Sequence, residues 1–135
     1  MKVCFAGLGS IGARHIRNLR SLYGPDMEID VVRSGKGKPA DESLERLIAH
    51  VYQKEDALPG DYDVIFITNP TKLHYTTLKE MHDHGRHFFI EKPVFETGEE
   101  DIEKLGLRKD SVYYVACPLR YTNVIQYLKR EIDFS

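Results

Sequence analysis

Apolar positions along the chain fall into short unbroken runs and longer stretches at helical spacing, and the two kinds take turns. Val3 to Ala6 is a short apolar run that predicts a buried strand. From Ile11 to Tyr23 apolar residues recur at the period of a helix, and Gly24-Pro25 ends it, because glycine caps and proline cannot continue. Glu28 to Arg33 predicts a second strand, Asp41 to Ala49 a short helix with acids in its first turn, and Val51 to Gln53 a weak third strand. Lys54 to Tyr62, with Pro59-Gly60, is a turn-rich connection. Asp63 to Thr68 carries β-branched and aromatic residues without alternation, the composition of a strand covered on both faces. Asn69-Pro70 ends it, Thr71 is placed to cap a helix from Lys72 to His84, and Gly85 stops that helix. His87 to Ile90 is the next strand, broken by Glu91-Lys92-Pro93. A helix from Gly98 to Leu107, a strand from Ser111 to Cys117 and a helix from Thr122 to Ile132 complete the pattern.

Strands alternating with helices imply a parallel sheet, and right-handed crossovers put helices on both of its faces. The expected fold is α/β: a doubly wound parallel sheet in three α/β/α layers, with the 135 residues, 1–135, forming a single domain. In such a sheet ligands bind beyond the carboxyl ends of the strands. Four segments far apart in sequence fall at those ends: Gly7 to Gly12, Arg33, Asn69 to His74, and Glu91 to Pro93. Their convergence on one edge predicts one site.

The first segment, Gly7-Leu8-Gly9-Ser10-Ile11-Gly12, stands between a strand and a helix, the context of the Rossmann dinucleotide fingerprint. Gly7 allows the tight turn, Gly9 lets the backbone approach a pyrophosphate, and Gly12 lets the helix pack on the strand. The free amides around Ser10 and Ile11, at the positive end of the helix dipole, face the phosphates. About twenty residues beyond the last glycine, where an acid usually holds the adenosine ribose, the chain has Arg33-Ser34. An arginine fork and a hydroxyl suit the extra phosphate of NADP, with Lys36 and Lys38 close by. Charge-assisted hydrogen bonds of roughly 1.5–3 kcal/mol translate into about ten- to hundredfold preference for NADP over NAD, which stays possible as the cofactor.

Three stretches together resemble the glucose-fructose oxidoreductase and inositol dehydrogenase family, Gfo/Idh/MocA: Gly7 to His15, Thr68-Asn-Pro-Thr-Lys-Leu-His74, and Gly85-Arg-His-Phe-Phe-Ile-Glu-Lys-Pro93. The resemblance implies an amino-terminal NAD(P)-binding Rossmann domain followed by an α/β domain that binds a sugar, inositol or related alcohol. It implies that Lys92 is the catalytic lysine, hydrogen-bonded to the substrate oxygen, and that Glu91 and Pro93 position it beside the nicotinamide, with a cis bond before Pro93. Asn69-Pro70-Thr71 is expected along the nicotinamide ribose, His74 near the cofactor, and Arg120 approaching it from beyond the last strand. At the end of a buried strand Lys92 is expected to be partly desolvated, as acid–base chemistry favours. His15 is expected to be structural, where the first helix meets the sheet. The chain stops at Ser135, where the family begins its second domain, so a cofactor-binding part of a larger protein, without its substrate pocket, is expected.

Composition narrows the partners. A net charge of −2 with interspersed signs offers no basic field to nucleic acid, and no apolar run approaches the roughly 18 residues that span a bilayer. A strand that starts almost at Met1 leaves no room for a signal peptide, so a cytoplasmic protein is expected, with Cys4 and Cys117 reduced and buried as small hydrophobes. His82, His84 and His87 do not converge as metal ligands, and no metal is expected. Val124, Ile125, Tyr127 and Leu128 exceed what one core would cover, so a homo-oligomer through the last helix is expected. A non-catalytic nucleotide sensor is the rival reading. Glu91-Lys92-Pro93 speaks against it, because a sensor needs no lysine beside the hydride-bearing carbon.

Overall fold

The computed structural model describes residues 1–37, 39–53 and 58–132; Lys38 and the first half of the turn-rich connection, 54–57, lie outside the described residues. Six strands, β1 Lys2–Ala6, β2 Glu28–Val32, β3 His50–Tyr52, β4 Tyr62–Ile67, β5 Gly85–Ile90 and β6 Tyr113–Val115, form one sheet in the order β3-β2-β1-β4-β5-β6. Every pairing is parallel. The helices α1 Ser10–Tyr23, α2 Glu42–Glu45, α3 His74–Glu80 and α4 Asn123–Glu131 are placed between or after the strands. Order reverses between β1 and β4, and that reversal opens a crevice at the carboxyl ends.

The sheet is apolar on both faces because each face has its own cover. Val3, Phe5, Ile29, Val31 and Phe66 pack with Ile16 of α1 and Leu44 of α2. Cys4, Ala6, Ile65, Ile67, Phe88 and Ile90 pack with Leu78 of α3, Met81 and Leu105. Register lines up Phe5, Phe66, Phe89 and Tyr114 across four strands, with successive ring centroids 4.5, 5.1 and 5.5 Å apart. Such cross-strand aromatic pairs each contribute about 0.5–1.5 kcal/mol beyond their burial.

Several elements differ from expectation for local reasons. The helix expected from Gly98 to Leu107 is a single 3₁₀ turn, Glu103–Leu105. Before it, the Glu100 carboxylate accepts the backbone N–H groups of Glu96, Thr97 and Gly98, at 3.1, 3.1 and 2.8 Å, and so holds the chain in a loop instead of a helix. The helix expected from Lys72 to His84 is divided into 3₁₀ turns at Thr71–Leu73 and His82–His84 around α3, and the Thr71 side chain caps nothing. The strand expected from Ser111 to Cys117 pairs only over Tyr113–Val115, which leaves Cys117 exposed instead of buried. Helix α4 is near its expected bounds, but none of its residues is buried.

A charge in the core went unforeseen. Asp30 is wholly buried, and its carboxylate accepts the Tyr62 hydroxyl at 2.7 Å while His50 Nδ1 lies 3.0 Å away. Burial and then the Asp30 charge push the neighbouring Cys4 thiol up to about 12, so it is unreactive at neutral pH.

Arg20, near the end of α1, joins two loops. Its guanidinium donates to the carbonyls of Gly24, Pro25 and Met27 at 3.0, 2.8 and 2.9 Å and to that of Leu47 at 2.7 Å. Only a planar fork reaches both the α1–β2 and α2–β3 connections at once. Arg20→Ala is expected to lower stability by about 2–3 kcal/mol, and Arg20→Lys to restore less than half of it, in urea unfolding of each variant. An Arg20→Lys variant as stable as the native chain would show that charge, not the fork, is what matters.

Candidate cofactor site

The N-terminus of α1 and the carboxyl ends of β1, β2 and β4 enclose a cleft of about 950 Å³. Of the residues expected from sequence, Gly7, Gly9, Ser10, Ile11, Arg33, Ser34, Asn69 and Pro70 form its walls. Gly12 lies beneath the wall, and Thr71, His74, Glu91, Lys92, Pro93 and Arg120 stand outside it.

The three glycines do different work. Gly7 has φ +100°, and a Cβ there would come within 2.8 Å of the Asn69 backbone. A Cβ on Gly12 would come within 2.8 Å of the Gly7 carbonyl oxygen and 2.9 Å of Thr68 Oγ1. Both are required by the protein's own packing. Around Gly9 nothing lies within 4 Å of the Cβ position, and that open space belongs to the cleft. Gly9 is the N-cap of α1 and offers no side-chain cap, and the first turn contains no acid. The leading amides and the positive helix end are therefore left for an anion.

Beside the glycine turn, at the end of β4, Asn69 Nδ2 donates to Thr77 Oγ1 at 2.7 Å, while Asn69 Oδ1 is buried with no partner among the described residues. A buried acceptor left without a donor costs about 1–3 kcal/mol, which a ligand hydroxyl at this spot would recover. Leading helix amides without a side-chain cap and a buried acceptor without a partner among the described residues, both at this cleft, fit a dinucleotide. His74 is buried, its Nε2 2.9 Å from the Asn69 carbonyl oxygen and its Nδ1 3.1 Å from that of Val94. The ring is thus lodged between the carbonyls of two loops, and His74 is not among the residues that line the cleft.

At another end of the cleft, Arg33, Ser34 and Lys36 line it together with Gln53. Among the described residues Asp41 is the acid of this wall, and both its oxygens already accept hydrogen bonds. It accepts the Ser43 hydroxyl, the Leu44 N–H at 2.9 Å and Arg17 Nη2 at 2.8 Å, which hold its carboxyl down to about 2.

The Glu91-Lys92-Pro93 turn follows β5, and its Lys92–Pro93 bond is cis. Lys92 is exposed, contrary to the expected desolvation, because β5 ends two residues earlier and nothing in the described chain covers its side chain. Glu91 pairs not with Lys92 but with His15, which sequence reasoning had placed only in packing; His15 Nε2 lies 2.7 Å from Glu91 Oε1. No local signal pointed to that pair. Thr68, whose hydroxyl donates to the Gly7 carbonyl at 2.9 Å, was also missed, although a polar residue directly after a buried strand is a hint. Arg120, on the turn Pro118–Tyr121, is exposed. Among the described residues Glu28, Asp30 and His50 could close on an ion, but Lys2 lies 3.4 Å from Glu28 and Tyr62 and His50 already satisfy Asp30. No helix of the described residues is long and apolar enough to cross a membrane.

Residues 1–110 match the profile of an oxidoreductase family with an NAD-binding Rossmann fold. The chain belongs to the Gfo/Idh/MocA family. A curated relative, the uncharacterized oxidoreductase YrbE of Bacillus subtilis, is 35% identical over 112 residues, which is 78% of this chain and 32% of that protein. Apo scyllo-inositol dehydrogenase from Lactobacillus casei superposes with a TM-score of 0.75 at 22% identity, over 96% of this chain and 40% of its own. The WlbA dehydrogenase from Chromobacterium violaceum, solved with NADH and UDP-GlcNAcA, gives 0.76 at 24% identity, over 96% and 39%. This Gfo/Idh/MocA chain therefore spans about a third of the length of its curated relative.

The separation of the glycines by cause is testable. Gly9→Ala should change stability by less than about 1 kcal/mol yet weaken dinucleotide binding at least about tenfold, whereas Gly12→Ala should lose about 1–3 kcal/mol in thermal unfolding. Undiminished NADH or NADPH binding by Gly9→Ala in calorimetric titration would remove the cradle from the site.

Proposed function

We propose that this chain is the cofactor-binding domain of an oxidoreductase that moves a hydride between NADP and a sugar, inositol or related alcohol, with NAD as the weaker cofactor. The observation that carries the cofactor choice is the Arg33 end of the cleft. Arg33, Ser34 and Lys36 line it together, and the carboxylate of this wall among the described residues, Asp41, already accepts from Ser43, Leu44 and Arg17. A ribose held through its 2′-hydroxyl needs a free acceptor, whereas a 2′-phosphate needs the donors this wall offers. The named dehydrogenases of similar fold, which act on inositol or are bound to a UDP-sugar, support the substrate class.

In this reading the bound cofactor supplies the hydride acceptor or donor, and the protein supplies position and proton handling. Gly9 and the first amides of α1 hold the pyrophosphate, and Asn69 Oδ1 accepts a hydroxyl of the nicotinamide ribose. Lys92 hydrogen-bonds the substrate oxygen and carries its proton. The turn that bears Lys92 stays exposed in this chain, so the substrate is closed in by a part of the protein corresponding to the remaining length of the relatives. That division makes residues 1–135 one dinucleotide-binding domain. A turn so deliberately tethered through Glu91 favours catalysis over a nucleotide sensor.

Cofactor choice is read by titrating the chain with NADPH and NADH. NADPH should bind about ten- to hundredfold tighter, and Arg33→Asp should narrow or invert the gap. Equal affinities would make NAD the cofactor. The role of Lys92 is read in the catalytically complete protein. Lys92→Met should leave cofactor affinity within about twofold and slow hydride transfer by about 10²–10⁴-fold, and full activity would return the turn to a purely structural role.

A further inference from the structure

His15 and Glu91 lie 76 residues apart in sequence, on α1 and just past β5, yet their side chains meet at 2.7 Å. The two side chains are only 22% and 12% exposed, so water competes weakly for the contact. The His15 ring stands edge-on to Phe89 at 5.1 Å and leans on Phe66 at 6.3 Å, which fixes its direction. The second Glu91 oxygen, Oε2, accepts the backbone N–H of Lys92 at 3.2 Å. The Glu91 N–H donates to the Ile67 carbonyl at 3.0 Å. One carboxylate therefore bridges the helix that forms the phosphate cradle and the backbone of the residue that bears the ε-amine. Beyond Pro93, the Val94 carbonyl oxygen lies 3.1 Å from His74 Nδ1, so the turn is tethered on both sides while Lys92 between them stays free to meet a ligand.

We infer that His15 is a positioning residue: through Glu91 it ties the Lys92–Pro93 turn to the phosphate-binding helix, so that seating a cofactor on α1 and placing Lys92 are a single event. A helix shifted by ligand binding would carry His15, and with it Glu91 and the Lys92 amide. This inference rests on the dinucleotide reading of the cleft for its functional meaning, though not for its structural content.

The test uses the chain itself. His15→Phe keeps a ring against Phe66 and Phe89 but removes the donor, and His15→Gln returns a donor near the position of Nε2. Glu91→Gln weakens the same contact from the other side and serves if His15→Phe folds poorly. Backbone hydrogen exchange should accelerate about tenfold at residues 91–95 in His15→Phe and Glu91→Gln, with the sheet unchanged, and His15→Gln should return it to within about threefold of the native rate. ADP-ribose, which can seat on α1 without a nicotinamide, should slow exchange at residues 91–95 of the native chain about tenfold and leave it within about twofold of the ligand-free rate in His15→Phe. Unaltered exchange in both donor-loss variants, or acceleration spread evenly over the sheet, would overturn the inference. Should the native chain bind neither ADP-ribose nor NADH, the dinucleotide reading fails, and the exchange result alone still decides whether His15 holds the turn.

Discussion

Where β1 turns into α1, the carbonyl of Gly7 is held between the Thr68 hydroxyl, which donates to it at 2.9 Å, and the α-carbon of Gly12, which has no room for a side chain. The Gly7 N–H meanwhile donates to the Val32 carbonyl at 3.0 Å. This crowding fixes the start of α1 against β1, β2 and β4 at the point where strand order reverses. The cleft follows from that placement. The helix can present its leading amides to the cleft only because its first turn sits directly on the strand ends.

Helix α1 then acts as a rigid connector for the rest of the domain. Its N-terminus lines the cleft, its second turn carries His15 to Glu91, and Arg20 in its last turn gathers four carbonyls from two loops. The aromatic row Phe5–Phe66–Phe89–Tyr114 runs beneath it and stiffens the strands it crosses. Helix α4 makes the contrast. It has nine residues and buries none of them, and an isolated helix shorter than about 12–15 residues is marginal in water.

Two buried polar groups show how structural and functional polarity differ in this fold. Asp30 sits midway along β2, away from the strand ends, and its acceptors are met by Tyr62 and His50. Asn69 sits at a strand end, and one of its acceptors is met by nothing in the described chain. A satisfied group in the sheet interior stabilises the core. An unsatisfied one at the ligand edge is a cost that binding can recover.

Alternation of apolar runs with helical periods was enough to read a doubly wound sheet, and the glycine spacing located the tight strand-to-helix turn, because both are set by short-range constraints along the chain. Arg33 and Ser34 were legible for the same reason, as they directly follow β2. Where local and tertiary forces compete, sequence misled: Glu100 draws three backbone amides into a loop where a helix was expected, and Cys117 is exposed because β6 stops short of it. The roles of His15 and His74 were decided only by the folded chain. Each bonds to a group brought near by parallel strand pairing, Glu91 in one case and the Val94 carbonyl in the other, and nothing within a few residues of either histidine encodes that meeting. The sequence by itself determined the layers, the glycine turn after β1 and the charged residues that follow β2. Tertiary structure alone decided which polar groups pair and which are left open to a ligand, because that depends on distances set across the sheet and not along the chain.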